Sequence, residues 1–217
     1  MKYDLVFCHG WGFDKNYFKF LIKKYFFNMN YYLLDVGYFY NSNMYLLDLL
    51  RNKYSKKFVG IGHSLGFLKL LLSSLKFKAL IGIQSFINFL GFEEYLRKKR
   101  SNEFNVLWDF FIRNERNALM FFYKRCGFKC IYNKNINKFI LKRDLKFIYN
   151  FNLKFDISVP ILILASKNDN IVPIDLIYDN FGKSCNIITI DTGNHCLGIY
   201  ECSFVYKKII NFLNEIK

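Results

Sequence analysis

The sequence predicts an α/β fold, a mostly parallel sheet of about six strands with a helical insertion after the fourth. Three observations predict it. Short apolar, β-branched runs alternate with stretches of helical periodicity, as strand–helix–strand units require. One such run, Phe58-Val59-Gly60-Ile61, passes into the sharp turn Gly62-His63-Ser64-Leu65-Gly66 and leaves as a helix. From about Phe86 to Asn152 helical spacing persists without a convincing strand, and then the alternation resumes.

The first element is a strand from Tyr3 to Cys8, running into the glycine-rich turn His9-Gly10-Trp11-Gly12. Asp14 is placed to cap a helix carrying Tyr17, Phe18, Leu21, Ile22 and Tyr25 on one side. Tyr31 to Leu34 is a short strand, and a helix follows from about Met44 to Asn52. After the strand at 58–62, Leu65, Leu68, Leu71, Leu72 and Leu75 recur at helical spacing. Ala79 to Ile83 is the fourth strand. The insertion carries three or four helices, with breaks expected at Gly127 and across 133–137. Val159 to Ala165 is a buried strand, and Pro173 suits the first turn of a helix reaching Phe181. Asn186 to Ile190 is the last strand, and Ser203 to Ile216 the closing helix.

The 217 residues are read as one domain, with a core of 1–85 and 153–217 and an insertion of 86–152. Lys, Asn or Asp interrupts every apolar run before it reaches membrane-span length. The first residues read as a strand rather than a signal peptide, so a reducing cytoplasm is the expected compartment. Cys8, Cys126, Cys130, Cys185, Cys196 and Cys202 form no paired C-x-x-C set, so no zinc site is expected. Cys8 and Cys185 belong in or beside strands as small apolar residues.

The net charge of +15 points to an acidic partner, but lysine excess accompanies an excess of Asn, Ile, Phe and Tyr and can be compositional. Arginine is the sharper probe. Six of the seven arginines, Arg97, Arg100, Arg113, Arg116, Arg125 and Arg143, fall between residues 97 and 143. This clustering is read as a basic docking surface on the insertion. Arg113 and Arg116, three apart, are expected to share a helical face, followed by Arg97, Arg100 and Arg125.

The turn at Ser64 carries the chemistry. A serine on a tight strand-to-helix turn needs small neighbours two residues either side, and its hydroxyl is held at a helix N-terminus that favours negative charge. Ser64, Asp169 and His195 occur in the order nucleophile, acid, base, each just beyond the C-terminal end of a predicted strand, where open α/β sheets bind ligands. A serine hydroxyl needs an imidazole to take its proton, and the imidazole needs a carboxylate to fix its tautomer. His63 lies inside the turn and should point elsewhere, and His9 precedes the glycine turn. Asp156, Asp175 and Asp191 are rivals to Asp169, less well placed after a strand. Oxyanion donors are expected from the backbone N–H groups of Leu65 and Trp11. The Trp11 ring can wall a pocket or plug the core.

His9-Gly10-Trp11-Gly12, Gly62-His63-Ser64-Leu65-Gly66, Asp169 before Ile171-Val172-Pro173, and Gly193-Asn194-His195 together resemble the α/β-hydrolase superfamily over nearly the whole chain. Within it, the His-Gly-Trp-Gly start, small size and basic insertion resemble the pimeloyl-[acyl-carrier protein] methyl ester esterases of biotin synthesis. The resemblance implies a Ser64, Asp169 and His195 triad, a Trp11 and Leu65 oxyanion hole, and a lid whose arginines grip acyl carrier protein. It implies no cofactor and no metal. Phe67 stands where many relatives have a further glycine, and the usual leading hairpin is missing, which leaves about six strands. The expected protein is a monomer with no nucleic-acid partner and no membrane span. A general esterase or thioesterase, and a non-catalytic module for an acidic partner, are the alternatives.

Overall fold

The computed structural model describes residues 3–53, 57–129, 135–154, 157–182 and 185–216. Cys130, Asp156 and the first part of the 133–137 stretch lie outside the described residues. Among the described residues six strands form one sheet: β1 (Asp4–Cys8), β2 (Tyr31–Leu34), β3 (Phe58–His63), β4 (Phe77–Ile83), β5 (Ile161–Ser166) and β6 (Asn186–Ile190). Their spatial order is β2-β1-β3-β4-β5-β6, and every pairing is parallel. The mostly parallel sheet read from the sequence is therefore wholly parallel. β1, β3 and β5 are buried along their full length, whereas the edge strands β2 and β6 are largely half-exposed. That is why the central strands read as continuous Val, Ile and Leu runs and the edges admit Tyr, Asn and Thr.

The chain leaves β1 toward β2 on one side and later places β3 on the other. The order therefore reverses between β1 and β3, and their C-terminal ends open a crevice. The turn Gly10-Trp11-Gly12 and the Ser64 turn flank it.

Asp14 caps the next segment through Asn16 N (2.8 Å), as expected, but the segment is irregular. A 3-10 turn (Lys15–Phe18), the short α1 (Lys19–Leu21) and a π turn (Ile22–Phe26) replace one helix. The core helices are α2 (Leu46–Arg51), α3 (Leu65–Leu71), α7 (Ile174–Phe181), the one-turn α8 (Leu197–Tyr200) and α9 (Cys202–Glu215). Between β4 and β5 stand α4 (Glu94–Arg113), α5 (Glu115–Cys126) and α6 (Lys138–Asn150). No described helix is long and apolar enough to cross a membrane.

One expectation fails here. Arg113 and Arg116 do not share a helical face, because α4 ends at Arg113 and α5 begins at Glu115. Asn114 between them is extended (φ −160°, ψ 112°), and its side chain accepts from Asn117 N (2.9 Å) as the N-cap of α5. A capping asparagine restarts the helix in a new direction.

The Ser64 turn is set by close approach. A Cβ on Gly62 would lie 2.2 Å from the Phe67 Cα, and one on Gly66 would lie 2.1 Å from the Cys8 carbonyl oxygen. The turn therefore crowds both its own helix and β1. Phe67, where a further glycine was the family expectation, is fully buried and meets the Phe181 ring edge-on at 5.7 Å. Gly66→Ala is expected to destabilise the fold by about 3 kcal/mol, since the obstacle is backbone and cannot swing aside. Urea denaturation of the variant beside the wild type checks this.

Candidate active site

Ser64 is the first residue after β3 and the N-cap of α3. Its backbone takes φ 52°, ψ −125°, a left-handed conformation that costs a non-glycine residue energy. The turn is held from both sides: Ser64 N donates to Ile83 O (3.0 Å), and Phe67 N donates to Ser64 O (3.1 Å). Ser64 lines a narrow cavity of about 50 Å³. Trp11 and Leu65 line it beside Ser64, and most of the remaining wall is aromatic or aliphatic.

Asp169 and His195 come together from the turn after β5 and the loop after β6. His195 Nδ1 donates to Asp169 Oδ2 at 2.8 Å, with both side chains fully buried. The other carboxylate oxygen, Oδ1, accepts from Ile171 N (2.6 Å) and Val172 N (3.0 Å). One oxygen thus fixes the carboxylate to its own turn while the other fixes the imidazole tautomer. His195 Nε2 is left as the acceptor. It is buried and makes no hydrogen bond among the described residues, to Ser64 Oγ included. Such bonds are commonly loose without substrate and tighten when it binds.

The rivals to Asp169 are occupied elsewhere. Asp175 bonds the backbone of its own helix (Leu176 N, 2.9 Å), and Asp191 pairs with Lys167 on the surface (2.7 Å). His9 is buried beyond β1, where Nδ1 meets Gly10 O at 2.9 Å and Nε2 accepts from Val36 N at 3.1 Å. It ties the ends of β1 and β2 together. Cys8 is buried in β1, and burial pushes its thiol up to about 12.

Two buried side chains that sequence reasoning did not assign to the site hold the His195 loop. Gln84, just past β4, has φ 50° and no exposed surface. Its Nε2 donates to Asn194 O (2.9 Å), and its Oε1 accepts from Ser166 N (2.9 Å). His63 Nε2 contacts the next carbonyl, His195 O, at 3.0 Å, and its ring stacks on Tyr17 (centroids 3.9 Å, 12°). The carbonyl acceptor assigns the proton to Nε2. Burial holds the His63 imidazole well below the usual histidine range, and the nearby His195 adds to the effect. Two consecutive carbonyls of the loop are therefore gripped from the ends of β3 and β4.

The helices between β4 and β5 are stitched to the same loops. Trp11 Nε1 donates to Leu141 O on α6 (3.0 Å), and Tyr123 on α5 donates to Gly12 O. Both readings of Trp11 hold: it lines the cavity and is only 3% exposed against Phe111 and Phe122. Arg100 and Arg125 donate to Ile171 O (2.5 Å) and Asn170 O (2.8 Å), on the turn that carries Asp169. This corrects the expected docking surface. Arg100 is 2% exposed and Arg125 lines the cavity, so both face inward. Arg113 and Arg116 are exposed, and Arg97 is half-buried.

No family model and no curated protein sequence matches the chain. Solved structures do. An esterase from Exiguobacterium antarcticum is similar at TM-score 0.79 and 13% identity, covering 98% of this chain and 92% of its own. A hydrolase from Oleispira antarctica is similar at TM-score 0.75 and 15% identity, with 99% and 92% covered. MenH from S. aureus is similar at TM-score 0.69 and 19% identity, with 100% and 95% covered. The fold is that of the α/β-hydrolases. In this hydrolase fold Ser64, Asp169 and His195 stand at the C-terminal edge of one sheet, after β3, β5 and β6.

Two predictions follow from the loop geometry. Gln84→Ala leaves the Ser166 N–H and Asn194 C=O buried and unpaired, so it is expected to cost about 2–5 kcal/mol in urea denaturation. His63 stays neutral in the fold below pH 6.5, where the unfolded chain already takes up a proton. Stability is then expected to fall as pH drops below 6.5, by up to about 1.4 kcal/mol per pH unit from this group. Denaturation at a series of pH values should show a flatter curve for His63→Gln.

Proposed function

We propose that the protein is a serine carboxylesterase. The buried His195–Asp169 pair, with Nε2 left as an acceptor at the same sheet edge as a serine on a strained turn, is the observation that carries this reading. Esterases among the similar solved structures support it. Ser64 Oγ attacks the ester carbonyl, and His195 Nε2 takes its proton. Asp169 stabilises the imidazolium through the Nδ1 bond. The oxyanion is received by the Trp11 and Leu65 N–H groups, each such donor contributing about 3 kcal/mol to the transition state. The carbon–oxygen bond to the leaving group breaks, and the alkoxide departs with the proton from Nε2. Water then repeats the sequence on the acyl-serine and releases the acid.

The finer reading is that the substrate is the methyl ester of pimeloyl-acyl carrier protein. The residues shared with the biotin-pathway esterases support it, as does the aromatic and aliphatic cavity, which suits an acyl chain. Arg113 and Arg116 are exposed on the helices over the cavity and serve as carrier contacts in this reading. The inserted helices act as a lid that selects the acyl chain, and 86–152 is a unit set on the hydrolase core.

Purified pimeloyl-acyl carrier protein methyl ester is expected to lose its methyl group with wild type and not with Ser64→Ala, read by mass. The variant should fall by about 10⁴-fold or more in kcat. Cleavage of a small soluble methyl ester with the carrier ester untouched would retain the esterase and discard the carrier. Failure on both, with no labelling of Ser64 by a fluorophosphonate, would leave only a non-catalytic binding role.

A further inference from the structure

The cavity that holds Ser64 has a charged patch in its wall. Arg100 on α4, Arg125 on α5 and Glu103 between them all line it. Two guanidinium groups and one carboxylate leave a net positive charge in a wall that is otherwise mainly aromatic and aliphatic.

The two arginines are not equivalent. Arg100 is committed: Nε donates to Phe89 O (3.5 Å), Nη1 to Glu103 Oε2 (2.5 Å) and Nη2 to Ile171 O (2.5 Å). It also lies over the Phe89 ring at 4.5 Å. Its close pairing takes up the charge of Glu103. Arg125 is more loosely held. Its Nη2 reaches Glu103 Oε2 at 3.5 Å and Asn170 O at 2.8 Å, so one nitrogen makes both contacts. Its side chain is 32% exposed. The guanidinium also lies over the Phe121 ring at 6.0 Å, and among the described residues its Nε and Nη1 make no hydrogen bond, which leaves them for a ligand. A cation in a largely apolar wall, with its nearest carboxylate already closely engaged, is a strong site for an anion. The planar fork matches a carboxylate better than any other common anion of similar size.

We propose that the cavity takes free half-esters of dicarboxylic acids as substrates. The ester carbonyl sits at Ser64 and the distal carboxylate at Arg125. This rests on the ester-hydrolase reading and not on the carrier. The bonds changed are those already described: water adds across the acyl–oxygen bond, giving the dicarboxylate, the alcohol and one proton. The charge patch contributes binding and orientation, so its effect falls on KM and on the preference among esters.

The experiment compares the monomethyl ester of a dicarboxylic acid with the neutral methyl ester of an alkanoic acid of the same length. Wild type is expected to prefer the half-ester by about tenfold or more in kcat/KM. Arg125→Gln should bring that ratio near one, and Arg125→Lys, which keeps the charge but loses the fork, should retain only part of it. A wild-type ratio of one overturns the proposal. So does Arg125→Gln lowering both esters by the same factor, because Arg125 then only braces Asn170. Calorimetry with the half-ester on Ser64→Ala, with and without Arg125→Gln, separates binding from turnover. Affinity that depends on Arg125 supports the carboxylate site even where wild type turns over neither ester, and then the esterase reading is what falls. Equal affinity in the two proteins removes the site.

Discussion

Everything in the site depends on how closely the Ser64 turn approaches β1. Only a residue without a side chain fits at Gly66, against the Cys8 carbonyl, and only such a residue fits at Gly62, against the start of α3. That contact brings the end of β3 beside the end of β1, at the point where the strand order reverses. Trp11 and Leu65 thereby come to line one cavity with Ser64, although α1, β2, α2 and β3 separate Trp11 from the turn along the chain. The strain at Ser64 is held in place by backbone bonds to Ile83 and Phe67.

The other half of the site is made of loops, and loops need partners. Asp169 is fixed by two N–H groups of its own turn, and that turn is gripped from outside by Arg100 and Arg125. The His195 loop is gripped by Gln84 and His63 through successive carbonyls. Buried polar groups cost free energy when left unpaired; Asp169, Arg100 and Gln84 each meet backbone partners, and His63 does so through Nε2 while its Nδ1 has none among the described residues. The rigid sheet edge thus supplies both Ser64 and the fastenings for His195.

Much of this was legible in the sequence. The strands were readable because parallel interior strands concentrate Val, Ile and Leu in short runs. The Ser64, Asp169 and His195 series was readable because each follows such a run. Gln84 and His63 left no local signal: their partners lie 110 and 132 residues away, and nothing in spacing marks a side chain that bonds so distant a carbonyl. The arginines misled for a related reason. Clustering in sequence says nothing about whether a side chain points inward, and Arg100 turns to the cavity because Glu103 and the carbonyl of Ile171 meet it there. The signal at Asn114 was present, since asparagine before an acidic residue is a usual helix start, but an interrupted helix with apolar residues on both sides reads as continuous.

The hydrogen bonds from α4, α5 and α6 to the loops around Ser64 and Asp169 bear on protein engineering. Trp11 with Leu141, Tyr123 with Gly12, and the two arginines with Asn170 and Ile171 make the inserted helices part of the frame that holds these loops. A chimera that exchanged this segment for that of another protein of this fold would receive new cavity walls but lose the groups that hold its own Asp169 turn. Transplanting specificity between such proteins therefore calls for moving the receiving carbonyl loops together with the helices that grip them.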